Sequence, residues 1–278
     1  IMKRLRSLLF IPALATAMMA KAHERGADAL VVDLEDSIPP ERKREARPMA
    51  IEAVKSLARH GATVVLRVNA SPDLWRDDLT GMPLDALTAV MLPKVESREQ
   101  VNEFAAALAA ATPRAPRIAA LLETPRGVMA AFGIASHPAL GALGFGAEDY
   151  AAAIGVDPMP QALTWPAQQV LTCAHAFGLQ SWGLAASIAD VHDLGTFEKS
   201  VQAARSMGFT GSVCIHPRQV AIVNAGFSPT AQELHWAARV VEADAVARAA
   251  GKGAVLLDGR MIDLPIVERA RSWLAQAR

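Results

Sequence analysis

The chain has 278 residues, 52% of them apolar, and its 28 basic and 28 acidic residues cancel to a formal net charge of zero. That length and apolar content suffice for one large buried core. The charge balance argues against a nucleic-acid-binding domain, which normally carries a basic excess, and no run approaches the ~18 uncharged apolar residues of a membrane span.

In chain order, short apolar runs alternate with longer helical patterns. Strands are expected at 7–11, 29–34, 63–68, 89–92, 117–122, 142–145, 180–184 and 212–215, with helices at 17–25, 41–59, 99–111, 162–177 and 193–207 among the connections. The strands are continuously apolar, as expected where both faces of a parallel sheet are covered. Eight such units fit a closed (β/α)8 TIM barrel, residues 1–227, better than an open sheet. The absence of GxGxxG after the first strand weakens a dinucleotide-binding reading. Beyond the barrel lie a long helix at 229–251, a hairpin at 253–263 turning at Asp258-Gly259, and a final helix opened by Pro265. This extension, 228–278, is read as a cap or a lid.

Lys3 and Arg4 before Leu8-Leu9-Phe10-Ile11 imitate a signal peptide, but Pro12 breaks the run and Lys21, His23, Glu24 and Arg25 follow. A cytoplasmic location is therefore expected. Cys173 and Cys214 lack CxxC or zinc spacing and read as buried thiols.

Charged residues collect where strands end: Asp33, Glu35 and Asp36 after the second, Arg67 after the third, Lys94 and Glu96 after the fourth, Glu123 and Arg126 after the fifth, Glu148 and Asp149 after the sixth. In a barrel these ends share one face, where active sites form. Glu123 and Asp149 are 149 − 123 = 26 residues apart, about one β/α unit. They form either a Mg²⁺ pair completed by waters and substrate oxygens or part of a structural ion network. Arg67 could grip a carboxylate or a developing enolate oxygen, or could simply pair with Asp33 or Glu35. Gly144 and Gly146 expose backbone amides near Ala147 to a substrate carboxylate, or only turn the chain tightly. No histidine has ligand spacing, and Ser187 has no visible triad partner.

These residues stand in an ordered set: Arg6-Ser7-Leu8-Leu9-Phe10-Ile11-Pro12, Asp33-Leu34-Glu35-Asp36, Arg67-Val68-Asn69, Leu92-Pro93-Lys94-Val95-Glu96, Glu123-Thr124-Pro125-Arg126-Gly127, Phe145-Gly146-Ala147-Glu148-Asp149, Cys214-Ile215-His216-Pro217 and Asp258-Gly259-Arg260-Met261-Ile262-Asp263. From about Arg6 to Ala277 the chain resembles the citrate lyase β-subunit-like proteins of the HpcH/HpaI aldolase superfamily, which include malyl-CoA and citramalyl-CoA lyases. The resemblance implies Mg²⁺ on Glu123 and Asp149, with Arg67 beside the reacting carbonyl and Asp263 as acid–base group. Glu35, Asp36, Gly146 and Ala147 are expected, with Arg67, to contact a keto acid or acyl-CoA substrate. It also implies a homo-oligomer, trimer or hexamer, in which the extension is a lid reaching a neighbouring subunit. No Schiff-base lysine is required, so Lys94 is an electrostatic partner. Four positions depart from the family pattern: Ala13 after Pro12, Ala167 after Trp165-Pro166, Ser181-Trp182-Gly183 where strand seven usually carries an acid, and Gly211-Ser212 in place of Gly-Lys. The leading expectation is a lyase of a 3-hydroxyacyl thioester. An aldolase of free hydroxy-keto acids and a non-catalytic, metal- and keto-acid-binding partner subunit remain alternatives.

Overall fold

The computed structural model describes residues 2–277. Eight strands form its main sheet: β1 (Ser7–Pro12), β2 (Ala29–Asp33), β3 (Val64–Arg67), β4 (Ala89–Leu92), β5 (Arg117–Leu122), β6 (Leu140–Phe145), β7 (Gln180–Gly183) and β8 (Ser212–Cys214). Every paired neighbour runs parallel, in the order β7-β6-β5-β4-β3-β2-β1-β8. The ring closes where Trp182 bridges Gly211, with Gly183 N–H donating to Gly211 O at 3.0 Å and Thr210 N–H to Ser181 O at 2.8 Å. This is a (β/α)8 TIM barrel.

Alternation along each strand builds two layers. One set of side chains, including Leu8, Val31, Val65, Met91, Leu121 and Trp182, meets inside the ring, where Ala89, Ala119 and Ala142 leave room for the larger neighbours. The other set, such as Leu30, Val32, Val64, Leu66 and Val90, is equally buried on the outer face, where the covering helices of the fold pack.

The strands fall where the apolar runs place them, with small shifts. β6 begins at Leu140, two residues before the expected 142, because Gly141 hides the strand signal. The expected helix at 17–25 is broken into Thr16–Ala20 and a 3-10 turn, Ala22–Arg25, with Lys21 non-helical between them. Among the described residues no helix is long and apolar enough to cross a membrane.

The chain divides into two compact units, one ending at Asn224 and the other beginning at Ala225. In the second, Thr230 and Glu233 form a reciprocal capping box at the start of helix Ala231–Ala249. Strands β9 (Val255–Leu257) and β10 (Arg260–Ile262) pair antiparallel. Asp258 and Gly259 between them have φ of 51° and 74°, the left-handed pair that a two-residue hairpin needs. Helix Leu264–Gln276 packs on Ala231–Ala249 through Ala237, Val240, Val267 and Ala270.

Candidate active site

The in-register pairing of β2 with β3 sets Asp33 beside Arg67 at the C-terminal ends of both strands. Arg67 donates from Nε to Asp33 Oδ1 at 2.6 Å and from Nη2 to Oδ2 at 2.8 Å. Its guanidinium carbon lies 4.7 Å from the centre of the Phe10 ring. A planar fork gripped at two points and stacked on a ring has little freedom to turn. Burial alone would raise the Asp33 carboxyl, but the Arg67 hydrogen bonds and charge outweigh it and hold it below the ordinary range.

Glu35 is buried behind this pair. Its Oε1 accepts from Lys94 Nζ at 2.7 Å. Its Oε2 stands 2.8 Å from Arg67 Nη1, yet has no hydrogen bond, so that contact is one of charge and not of hydrogen-bond geometry. Burial, the largest influence, leaves the Glu35 carboxyl above its usual range despite both bases. Lys94 Nζ also donates to the half-exposed Asp36 at 3.2 Å and lies 3.9 Å from Asp149 Oδ1. Lys43 donates to the backbone oxygens of Leu34 and Glu35 at 2.8 and 2.6 Å, pinning the loop after β2. The ion network weighed for Arg67 is therefore present.

Glu123 directly follows β5 and is only 3% exposed. Lys94 has a left-handed φ of 54°, and its N–H donates to Glu123 Oε2 at 2.9 Å. A Cβ on Gly146 would lie 2.4 Å from Glu123 Cγ and 2.5 Å from Oε1. Glycine at 146 is thus what lets the carboxylate occupy its place. Gly146 does not offer a free amide, because its N–H donates to Leu122 O at 3.2 Å. Ala147 and Glu148 open helix Ala147–Ile154, and first-turn amides have no partner within their helix.

Asp149 occupies the first turn of that helix rather than the end of β6, and its side chain is 41% exposed. Burial first, then the charges of Asp149 and Glu35, push the Glu123 carboxyl up to about 8. A nearby cation would reverse that pressure. The donors are all oxygens, one sunk and one at the mouth, which suits Mg²⁺: that ion commonly takes one or two carboxylates and keeps several waters.

Arg67, Glu123, Gly146, Ala147, Glu148 and Asp149 face a cavity of about 130 Å³ at the mouth of the barrel. Glu35 stands behind Arg67 and Lys94 and is not on its wall. Asp263 belongs to the second unit, between β10 and helix Leu264–Gln276. Two further devices have no signature in the sequence. Ser187 Oγ forms a short hydrogen bond with Glu148 Oε1, 39 residues away. Buried Gln219 donates to Ile188 O at 2.9 Å and accepts from the N–H groups of Ile215 and His216 at 2.8 and 3.1 Å. Together they tie the loop after β7 to the rim.

Residues 6–217 match the HpcH/HpaI aldolase/citrate lyase family. The chain belongs to that family. The citrate lyase subunit beta-like protein of Deinococcus radiodurans is 33% identical over 98% of this chain and 96% of its own length. The (3S)-malyl-CoA thioesterase of Cereibacter sphaeroides is 32% identical over 98% and 94%. The crystal structure of CitE from Mycobacterium tuberculosis with magnesium, acetoacetate and coenzyme A superposes with a TM-score of 0.79 at 30% identity, covering 99% of this chain and 98% of that one. As a member of the HpcH/HpaI aldolase/citrate lyase family, the chain is a carbon–carbon lyase.

Proposed function

We propose that this lyase is Mg²⁺-dependent and cleaves, or forms, a 3-hydroxyacyl thioester such as malyl-CoA or citramalyl-CoA, with a keto acid and an acyl-CoA on the other side of the reaction. The observation that carries this reading is Glu123, a wholly buried carboxyl raised to about 8 beside Asp149 in the barrel mouth. Glu123 and Asp149 would hold the ion, which when bound supplies Lewis-acid polarisation of the keto-acid oxygens. Arg67, locked by Asp33, meets the negative charge that develops on the thioester oxygen as the carbon–carbon bond breaks. The amides of Ala147 and Glu148, approached past Gly146, receive the substrate carboxylate. Glu35 acts through Arg67 and Lys94 by fixing their positions, while the more exposed Asp36 contacts substrate at the rim. Asp263 gives or takes the proton at the enolate carbon. We place the enzyme in the cytoplasm as a homo-oligomer, a trimer or hexamer.

The thioester is supported by the coenzyme A in the M. tuberculosis complex and by the malyl-CoA in the name of the Cereibacter relative. A free hydroxy-keto acid is the second reading, favoured by the uncharged and buried Ala167 and Ser212, and by the uncharged stretch Ser181-Trp182-Gly183, where the family pattern carries charge. The test is a coupled assay for keto-acid release from a panel of 3-hydroxyacyl-CoA thioesters and free hydroxy acids, with Mg²⁺ and with chelator. Mg²⁺-dependent release from a thioester is expected. Release from free acids alone moves the chain to the second reading, and silence on both points to a non-catalytic subunit.

A further inference from the structure

We infer that the keto acid handled at this site carries an apolar alkyl or aryl substituent on its carbonyl carbon, not a second carboxylate. The inference rests on the proposed lyase reading and narrows it to the citramalyl-CoA type, since malyl-CoA yields glyoxylate, which carries only hydrogen at that carbon.

The cavity is two-sided. Its charged lining residues, Arg67, Glu123, Glu148 and Asp149, all come from β3, from β5, or from the turn and helix after β6. In an eight-stranded ring, β8 and β1 stand across from β4 and β5. From β8 and its ring neighbour β7 come the wall residues Val213, Ile215, Trp182, Leu184 and Ile188, while Phe10 of β1 lies under the Arg67 guanidinium at 4.7 Å. No lining residue from β7, β8 or the loops that follow them is charged.

The polar side chains on that wall are spent internally. Trp182 Nε1 donates to Gln180 Oε1 at 3.3 Å, so the ring offers the cavity carbon. Ser212 Oγ donates to Val213 O at 3.2 Å. Ile188 is held in place through its carbonyl by Gln219 at 2.9 Å, and the rim loop beside it by Ser187 on Glu148. The apolar wall is thus fixed by hydrogen bonds and is not a loose side of the mouth.

A keto acid bound with its carboxylate and carbonyl oxygens at the Glu123 and Asp149 side points its remaining substituent across the cavity. An ionised group set among Trp182, Leu184, Ile188, Val213 and Ile215 would lose water and meet no charged side chain from that half of the ring. A hydrocarbon would gain by burial.

The test is calorimetric binding of 2-oxo acids to the intact protein in Mg²⁺, followed by condensation assays of the same acids with acetyl-CoA. From pyruvate through 2-oxobutyrate to 2-oxoisocaproate, the dissociation constant should fall about fourfold per added methylene. Oxaloacetate and 2-oxoglutarate should bind about tenfold or more weakly than alkyl acids of equal length. Ile215 is 42% exposed, and Ile215→Lys should erase or reverse that preference without unfolding the barrel. Equal or tighter binding of the dicarboxylic acids, or a flat alkyl series, overturns the inference. Alkyl-ordered binding without any condensation overturns the lyase reading and spares this one, efficient condensation with a preference for oxaloacetate does the reverse, and no binding by any acid overturns both.

Discussion

Glu123 carries most of the site's chemistry, and burial in the folded chain raises its carboxyl. Its folded value of about 8 stands above the unfolded value of 4.5. Between those two values the folded chain binds more protons than the unfolded one, so stability falls as pH rises. The stabilising share is complete below about pH 4.5 and lost as pH passes through about 8. In chelator, the melting temperature should therefore decline between pH 6 and pH 9. Saturating Mg²⁺ should reverse the decline, because the ion favours the ionised carboxylate. Glu123→Gln should flatten both curves. A chelated wild-type protein with a pH-independent melting temperature over that window would contradict the charge assignment.

At the scale of elements, the site is a product of where strands stop. The in-register ends of β2 and β3 bring Asp33 to Arg67, and the end of β5 brings Glu123 against the Gly146 turn after β6. Gly146→Ala places a Cβ where Glu123 now lies, so it should weaken Mg²⁺ binding by tenfold or more while the barrel still folds. Retained affinity in that variant, measured by titration calorimetry, would show that the glycine is only a turn residue. The strands and the charged ends were legible in the sequence because a buried parallel strand is a continuous apolar run that stops where solvent begins. The positions of Arg67 and Glu123 were readable for the same reason, whereas Asp149 lies in the first turn of the helix after β6 and not at the strand end. Three things were not. The left-handed backbone of Lys94 carries no residue signal, since lysine gives none of the cues of glycine or asparagine. The Ser187–Glu148 and Gln219–Ile188 hydrogen bonds join residues 39 and 31 apart, partners that only the closed ring brings together. The burial of Glu35 behind two bases could not be told from a rim position, because alternation assigns a face and not a depth.

For the whole molecule, the 225–278 unit has its own small core and a hairpin that ends at Asp263. We propose that Asp263 serves the reaction and not the ion. Asp263→Asn should keep Mg²⁺ affinity within about twofold of wild type and lower kcat by on the order of 10²–10⁴, the usual reach of general acid–base catalysis. Light scattering should find the same trimer or hexamer for both proteins. A variant with full turnover would remove Asp263 from the mechanism, and a monomer would remove the proposed assembly.

The most direct test of the central claim is a Mg²⁺ titration of the intact chain at pH 7 in two buffers of different ionisation enthalpy. One ion should bind per chain and release close to one proton, because a carboxyl raised to about 8 must lose its proton to become a ligand. Glu123→Ala and Asp149→Ala should each abolish that binding without changing the far-ultraviolet circular dichroism. Unaltered Mg²⁺ affinity in both variants would contradict the account.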